Sequence, residues 1–288
     1  MYEAFYGLAE KPFSILPDPE FLYWAPGHEM AYSMLEYGVV NQAGITVVTG
    51  GIGCGKTTLV RQLLRDLDEC VTVGLVANTI GGRGKLLNWV MMSLNQPFET
   101  RSYVALYQKF QEFLIEEYGR GRHVILIIDE AQNLTVDALE ELRMLSNINA
   151  DKDQLLQLIL VGQPQLRDLL RQPKLVQFAQ RVSADFHLKP LQSDEVAGYI
   201  DHRLALAGAS RPIFSRLACE LIGSASKGIP RSINILCDTS LVYGFSAGAS
   251  TIGPDIVSQV LEDKREYGVF AEDSTGSAPI RFRPRGLG

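Results

Sequence analysis

A glycine-rich segment between an apolar run and a helical pattern constrains the fold of this chain more than any other feature. Residues 50–57 read Gly-Gly-Ile-Gly-Cys-Gly-Lys-Thr and fit the pattern Gly-x-x-x-x-Gly-Lys-(Ser/Thr). The preceding residues 45–49 predict a buried strand, and residues 56–67 predict a helix. In such a unit the glycines let backbone N–H groups surround phosphate oxygens at the helix N-terminus. The segment therefore predicts a phosphate-binding loop. The alternative is a glycine-rich turn that holds a lysine by chance.

A second motif supplies the acids that such a loop requires. Residues 124–128 predict a buried strand, which ends in Asp129 and Glu130. An acid at the end of a neighbouring strand holds the Mg²⁺ shell in phosphate-binding-loop enzymes, a role that suits Asp129. Glu130 is the candidate general base for the attacking water. The alternative interpretation is that both acids only cap the helix that follows them.

The two motifs together predict a site for ATP and Mg²⁺. Lys56 would reach the β- and γ-phosphates, while the hydroxyl of Thr57 and the carboxylate of Asp129 would serve the metal. Cys54 is interpreted as a small filler in the loop and not as a redox switch. The expected nucleotide-binding residues are Gly50, Gly51, Ile52, Gly53, Cys54, Gly55, Lys56, Thr57, Thr58 and Asp129.

Three more polar residues are candidates for catalysis. Gln163 follows the predicted strand 155–161, where it would lie between the two motifs and sense the γ-phosphate; otherwise it is a turn residue. Arg231 begins a predicted helix and could reach back to the nucleotide, or it is a solvated residue at a helix start. Arg181 could supply positive charge to the phosphates of a neighbouring subunit. The candidate catalytic residues are therefore Lys56, Glu130, Gln163, Arg181 and Arg231.

The order of the predicted elements indicates the fold class. Apolar strands alternate with helices up to residue 190, which predicts an α/β three-layer sandwich with a mainly parallel sheet. Only helices follow, beginning with one that Ser193 caps at Asp194, and they predict a small all-α lid domain. The predicted strands are 45–49, 71–77, 124–128 and 155–161, and the predicted helices are 28–41, 56–67, 84–94, 102–118, 135–145, 215–226, 231–245 and 254–264. The predicted domains are an aromatic and proline-rich arm (1–27), the α/β domain (28–190), the helical lid (191–266) and a disordered tail (267–288).

Composition excludes several classes of protein. Apolar residues make up 46% and charged residues 21% of the chain, which argues against a disordered or fibrous protein. The formal net charge of -6 argues against a generally basic surface that coats nucleic acid. No run is long enough to span a bilayer, and no export signal is recognisable, so we expect a cytoplasmic protein. The cysteines lack metal or disulfide spacing, and the four histidines, His28, His123, His187 and His202, are taken as ordinary surface or core residues.

The motifs in this order, followed by helices that carry Gly-x-Pro-Arg, resemble the AAA+ ATPases. More narrowly, the chain is similar to the ExeA/GspA-type secretion ATPases. The stretches that carry this resemblance are Phe5–Leu8, Lys11–Ser14, Pro17–Pro19, Asp129–Leu134, Leu160–Pro164 and Gly228–Cys237. Met1–Leu8 and Leu142–Gln154 look closest to the branch found with exosortase (XrtA/PEP-CTERM) and exopolysaccharide loci. Asp185 stands where relatives often have a second arginine, which leaves Arg181 as the expected contact in trans.

The resemblance implies an ATP-hydrolysing switch or assembly ATPase that supports a bacterial secretion or exopolysaccharide/exosortase-linked envelope export system. It also implies a homo-oligomer, residues 17–21 beside the adenine, and a partner at the inner membrane or in the envelope export machinery. The protein would then be cytoplasmic or attached to the inner membrane through that partner. A DNA-binding transposition regulator similar to MuB, TnsC and TniB is the alternative, but the acidic net charge makes DNA an unexpected partner. A nucleotide-dependent scaffold with little turnover is a third class, against which Glu130 argues.

Overall fold

A five-stranded parallel sheet forms the centre of the molecule. The computed structural model describes residues 1–77, 86–99, 102–150 and 153–267. The strands are β1 (Ile45–Gly50), β2 (Val71–Val76), β3 (His123–Ile128), β6 (Leu156–Gly162) and β7 (Val182–Leu188), with a separate short antiparallel pair of β4 (Asn149–Ala150) and β5 (Asp153–Gln154). The sheet order is β2-β3-β6-β1-β7, and all neighbouring strands in it are parallel.

Helices cover both faces of this sheet and continue beyond it. They are α1 (Glu3–Tyr6), α2 (Pro26–Val40), α3 (Lys56–Asp66), α4 (Leu86–Ser93), α5 (Tyr103–Gly119), α6 (Val136–Leu145), α7 (Gln165–Leu170), α8 (Val176–Ala179), α9 (Glu195–Leu206), α10 (Arg216–Ser226), α11 (Pro230–Ser246) and α12 (Pro254–Tyr267). Alternate residues of each central strand pack on α2 and α3 on one face and on α4 to α8 on the other. These strands are therefore mainly apolar, although Thr46, Thr49 and Gln157 are buried polar residues within them. The predicted three-layer α/β sandwich with a helical segment after it is confirmed.

The edge strand β7 is the main element that the sequence pattern missed. It reads Val-Ser-Ala-Asp-Phe-His-Leu, and among the described strands it pairs with β1 alone. Ser183 and Asp185 are exposed, so the strand lacks the continuous apolar run that marks a strand buried on both faces. An edge strand needs only part of its side chains in the core. The pattern therefore predicted four of the five strands.

Two further predictions differ from the structure or fall outside it. The predicted cap at Ser193 is wrong, because α9 begins at Glu195, and the carboxylate of Glu195 accepts a hydrogen bond of 2.7 Å from the backbone N–H of Gln192. The first residues of the predicted helix 84–94 and residues 268–288 of the predicted tail lie outside the described residues. In the part of the chain that the structure describes, no helix combines the length and apolarity needed to cross a membrane.

The N-terminal segment packs on the C-terminal helices α9 to α12. The Tyr2 hydroxyl donates to Asp238 in α11, and the backbone N–H of Ala9 donates to the carbonyl of Ala207, 2.8 Å away. Leu22, by contrast, belongs to the core between the sheet, α2 and α3. The intervening residues therefore cross from the helical body to the α/β body. The predicted boundaries at residues 27, 190 and 266 stay a prediction.

Candidate nucleotide-binding site

The strand order places three predicted site segments side by side. Strand β6 lies between β1 and β3 in the sheet. The glycine-rich loop follows β1, Asp129 and Glu130 follow β3, and Gln163 follows β6. Because all three strands are parallel, their carboxyl ends meet at one edge of the sheet, where ligands bind in open α/β sheets. Gln163 therefore lies between the loop and the acids.

Glycine is required in the loop for two different reasons. Gly55 forms the N-cap of α3 with a φ of 100°, a left-handed conformation that side chains with a Cβ rarely adopt. Gly53 also has a positive φ, and a Cβ there would lie 2.6 Å from the Cβ of Arg231. The loop thus turns sharply into a helix of 11 residues, whose first N–H groups are free to bind an anion.

The side chain of Lys56 folds back over the loop. Its ammonium group donates to the carbonyl oxygens of Gly50 and Gly51, both 2.9 Å away, and the residue is only 7% exposed. Burial lowers the pKa of Lys56, an effect that the nearby Glu130 and Asp129 carboxylates oppose. The ammonium group is therefore held at the centre of the loop, where phosphate oxygens would replace the carbonyl acceptors.

Thr57 and Asp129 form the oxygen pair that a magnesium site would use. The Thr57 hydroxyl donates to Asp129 Oδ2 at 2.9 Å, and Asp129 Oδ1 accepts from the backbone N–H of Glu130, also at 2.9 Å. Among the described residues, no group of three or more His, Cys, Asp or Glu side chains could hold a metal ion. Mg²⁺ is usually bound by one or two carboxylates together with phosphates and water. The pair therefore fits a metal that arrives with a nucleotide.

Glu130 and Gln163 are in direct contact. Glu130 has a φ of 55°, an uncommon left-handed conformation for a residue with a Cβ. Its Oε2 accepts a hydrogen bond of 3.1 Å from the side-chain amide of Gln163 and a second one from the amide of Gln132. The structure thus adds Gln132, which the sequence analysis had not singled out, to the predicted pair.

The two candidate arginines lie in different places. The backbone N–H of Arg231 donates to the carbonyl of Gly53 at 3.2 Å, and its side chain lines the cavity above the loop. Arg181 precedes β7, whose first residue pairs with Ile45 at the start of β1. At about 3.3 Å per residue, this point is roughly 16 Å from the loop along the strand. Arg181 therefore does not belong to the site of its own chain.

A cavity of about 210 Å³ joins the loop, the N-terminal segment and the C-terminal helices. This volume is smaller than the range of about 300–1,000 Å³ that is common for ligand sites. The lining residues from the N-terminal segment are Ser14, Ile15, Leu16, Pro17, Asp18, Phe21, Leu22 and Tyr23. Those from the C-terminal helices are Tyr199, Arg203, Pro230, Arg231 and Asn234. His28, Glu130, Gln163 and residues of the loop and of the start of α3 complete the lining.

His28 is a site residue that the sequence analysis had taken as ordinary. Its Nε2–H donates to the carbonyl oxygen of Cys54 at 3.0 Å, and the ring is buried and lines the cavity. Burial lowers the pKa of His28, so the neutral ring is favoured. A Cβ at Gly55 would lie 3.0 Å from Nε2. His28 thus supports the loop from α2, a contact that no local pattern reveals.

Arg203 is a second residue of the cavity that the sequence analysis missed. It is 6% exposed, its Nε donates to the carbonyl of Pro12 at 2.6 Å, and its guanidinium carbon lies 4.8 Å from the centre of the Phe21 ring. Among the described residues, its Nη2 has no hydrogen-bond partner. The guanidinium group therefore joins α9 to the N-terminal segment, and the N–H donors of its Nη2 are unused among the described residues.

Comparison with known proteins agrees with this architecture. Residues 40–170 match the family model of the AAA domain. The chain contains an AAA domain. The chain is 38% identical over 253 residues to general secretion pathway protein A of Aeromonas hydrophila, a match that covers 88% of this chain and 46% of that protein. The chain thus spans less than half the length of this curated relative. The resemblance to ExeA/GspA-type ATPases is confirmed, whereas the exosortase branch stays a prediction.

Solved structures show the same fold at low sequence identity. The ORC2 protein of Aeropyrum pernix, in its ADPNP–ADP complexes, is 18% identical with a TM-score of 0.62, and the match covers 83% of this chain and 67% of that one. Cdc6p of Pyrobaculum aerophilum is 18% identical with a TM-score of 0.63, over 86% of this chain and 71% of that one. At such identities the likeness concerns the fold alone. The AAA domain and these neighbours together show that the chain has the P-loop AAA+ fold.

Proposed function

We propose that this AAA+ protein binds ATP with Mg²⁺ and hydrolyses it. The observation that carries the proposal is the convergence of Lys56, Thr57, Asp129, Glu130 and Gln163 at one edge of the sheet, in one cavity or directly beside it. The loop N–H groups and Lys56 would bind the β- and γ-phosphates, and Thr57 and Asp129 would hold the metal. Mg²⁺, when bound, neutralises part of the phosphate charge.

Glu130 is the residue that would take the proton of the attacking water. Its Oε2 is engaged by two amide donors, while none of the described residues donates a hydrogen bond to Oε1. Gln163 would sense the γ-phosphate because the same amide can reach either the nucleotide or Glu130. Arg231 would contribute positive charge from the lid, and residues 17–21 with Arg203 would surround the adenine. The positions of these side chains in or beside the cavity support the proposed roles.

We further propose that the chain works as a homo-oligomer in which Arg181 contacts the nucleotide of a neighbouring subunit. Arg181 is exposed and lies at the opposite end of β1 from the phosphate-binding loop of its own chain. Its guanidinium group donates a hydrogen bond to the side-chain oxygen of Asn147. A guanidinium group that reaches a γ-phosphate in trans stabilises the charge of the transition state. An exposed arginine remote from its own site is well placed for that role.

Removing Arg181 should lower turnover far more than ATP affinity. Arginine fingers contribute about 10³-fold or more to turnover, so Arg181→Ala should be almost inactive while its ATP affinity changes little. Wild-type activity per subunit should rise with protein concentration. Arg216→Ala removes an exposed lid arginine that forms an ion pair with Glu220, and it serves as the control. Constant specific activity across a dilution series, with light scattering showing a monomer throughout, would exclude the trans contact.

The process served by this ATPase is proposed to be secretion-linked envelope export. The 38% identity to general secretion pathway protein A supports a secretion-linked role. The stretches Met1–Leu8 and Leu142–Gln154 favour the exosortase-associated branch within it. Such a protein would act in the cytoplasm or at the inner membrane through a partner protein, and it would need no contact with DNA.

Capture of the ATP-bound form should identify the partner class. Glu130→Gln, loaded with ATP and incubated with solubilised membranes, should retain components of an envelope export system. Lys56→Ala, which we expect not to bind ATP, is the matched control. Cooperative, ATP-dependent shifts of duplex DNA at submicromolar protein would instead favour the transposition regulator. DNA binding of that kind would weaken with salt by a log–log slope of about -0.9 per phosphate contacted.

A further inference from the structure

The side chain of Gln132 makes two hydrogen bonds of opposite sense at the site. Its Nε2 donates to Oε2 of Glu130, and its Oε1 accepts from the backbone N–H of Gln163 at 2.8 Å. The end of β6 is pressed against it, since a Cβ at Gly162 would lie 2.9 Å from Gln132 Oε1. One amide group therefore connects the end of β3 with the end of β6.

Only a carboxamide of this length can make both bonds. Glutamine and asparagine carry a donor and an acceptor in the same planar group, whereas an ionised glutamate accepts only and leucine does neither. Without the amide, the Gln163 N–H would lose its acceptor, and a half-buried polar group without a partner is costly. The residue type is thus matched to its two neighbours.

The arrangement also decides which oxygen of Glu130 is available for chemistry. Gln132 and Gln163 both donate to Oε2, so the carboxylate plane is fixed and Oε1 is turned away from the two amides. A base held by neither donor could rotate about its χ3 angle, because this torsion is broad in glutamate. Gln132 supplies one donor to Glu130 whether Gln163 contacts Glu130 or another group.

We propose that Gln132 is a positioning residue that orients Glu130 for proton transfer and couples that orientation to the position of Gln163. This inference rests on the proposed hydrolysis of ATP. When the Gln163 amide turns to a γ-phosphate, the Gln132 amide retains Glu130 in place and follows the end of β6 through the backbone N–H of Gln163. A change at the end of β6 on nucleotide binding is therefore transmitted to Glu130 after β3 through the side chain of Gln132.

Three variants test the role. Gln132→Leu removes both hydrogen bonds, Gln132→Glu keeps the size but replaces the donor, and Gln108→Leu makes the same apolar change on the exposed surface of α5. We expect Gln132→Leu to lower kcat by roughly 10- to 100-fold, less than the full effect of about 10²–10⁴-fold for a general base. The KM for ATP should change little, since Gln132 does not line the cavity. Gln108→Leu should match the wild type.

A comparison of two backgrounds separates positioning from mere structural support. In a Glu130→Gln background, Gln132→Leu should cause no further loss of kcat, because the base that it orients is gone. In the wild-type background, Gln132→Glu should lower kcat while ATP affinity is retained, because an ionised carboxylate offers no donor to Glu130.

Specific outcomes would overturn the inference. Wild-type kcat in Gln132→Leu would do so. Parallel losses of ATP affinity and Tm in that variant, or a further loss of kcat when Gln132→Leu is added to Glu130→Gln, would also do so. A wild-type protein that binds ATP but never hydrolyses it would refute the proposed function itself. The two failures are therefore distinguishable in one set of assays.

Discussion

ATP affinity should fall by about 100-fold or more when Lys56 is replaced by alanine. The ammonium group now donates to the carbonyls of Gly50 and Gly51, and those two hydrogen bonds show where it would meet phosphate oxygens. Two hydrogen bonds to charged groups contribute about 3 kcal/mol or more, and each ~1.4 kcal/mol is a factor of ten in affinity. Isothermal titration with ATP and Mg²⁺ measures the change directly.

A control and a stability measurement make this result specific. Lys109→Ala removes an exposed lysine of α5 and should leave ATP affinity unchanged. The alanine at position 56 also deprives the loop carbonyls of a donor, so Tm without nucleotide should be recorded for both variants. ATP should raise the Tm of the wild type and of Lys109→Ala, but not that of Lys56→Ala. Equal ATP affinity in wild type and Lys56→Ala would refute the phosphate-binding loop.

The sequence predicts the central strands well because a strand that is buried on both faces consists mainly of apolar residues. Residues 124–128 are a continuous apolar run, residues 155–161 are apolar except for Gln157, and both proved to be strands in the middle of the sheet. Strand β7 lies at the edge and mixes polar with apolar residues, so the same criterion misses it. Whether the sequence of this chain reveals a strand therefore depends on the position of that strand in the sheet.

The residues of the site also differ in how well the sequence predicts them. Residues 50–57 and Asp129–Glu130 can be recognised because their chemistry and their flanking elements are encoded within a few residues. Gln132 lies only two residues after Glu130, so the sequence could have suggested it as a site residue. Its role, however, depends on how a 3₁₀ turn directs the side chain toward β6. His28 and Arg203 act through contacts with Cys54 and Pro12 that only the folded chain creates.

The packing partner of the N-terminal segment also could not be predicted from the sequence. Its aromatic residues predict an ordered arm that lies against the body, and they do pack on the C-terminal helices. Nothing in the local pattern identifies those helices as the partner. Tyr2 meets Asp238, and Tyr6 meets Ala249, more than two hundred residues further along the chain. Contacts between residues so far apart in the sequence are set by the tertiary fold and produce no periodic pattern of apolar residues.

Replacing Glu130 with glutamine should abolish ATP hydrolysis while ATP binding is retained. The amide cannot take a proton from water, and loss of a general base costs about 10²–10⁴-fold in rate. The substitution is conservative in structure, since the oxygen of the new amide can still accept from the amides of Gln132 and Gln163. The left-handed backbone at this position is the same for both residues. Phosphate release and ATP titration, measured on the same preparation, test both parts.

The comparison with a matched variant decides what the result means. Glu112→Gln neutralises an exposed acid of α5, so it controls for the change of net charge alone and should hydrolyse ATP at the wild-type rate. If Glu130→Gln still turned over at that rate, the water would be activated elsewhere, and Glu130 would serve only to cap the turn that follows β3. If it bound ATP no better than Lys56→Ala, the loss would reflect damage to the site. Retained binding with lost turnover is the combination expected if Glu130 is the catalytic base.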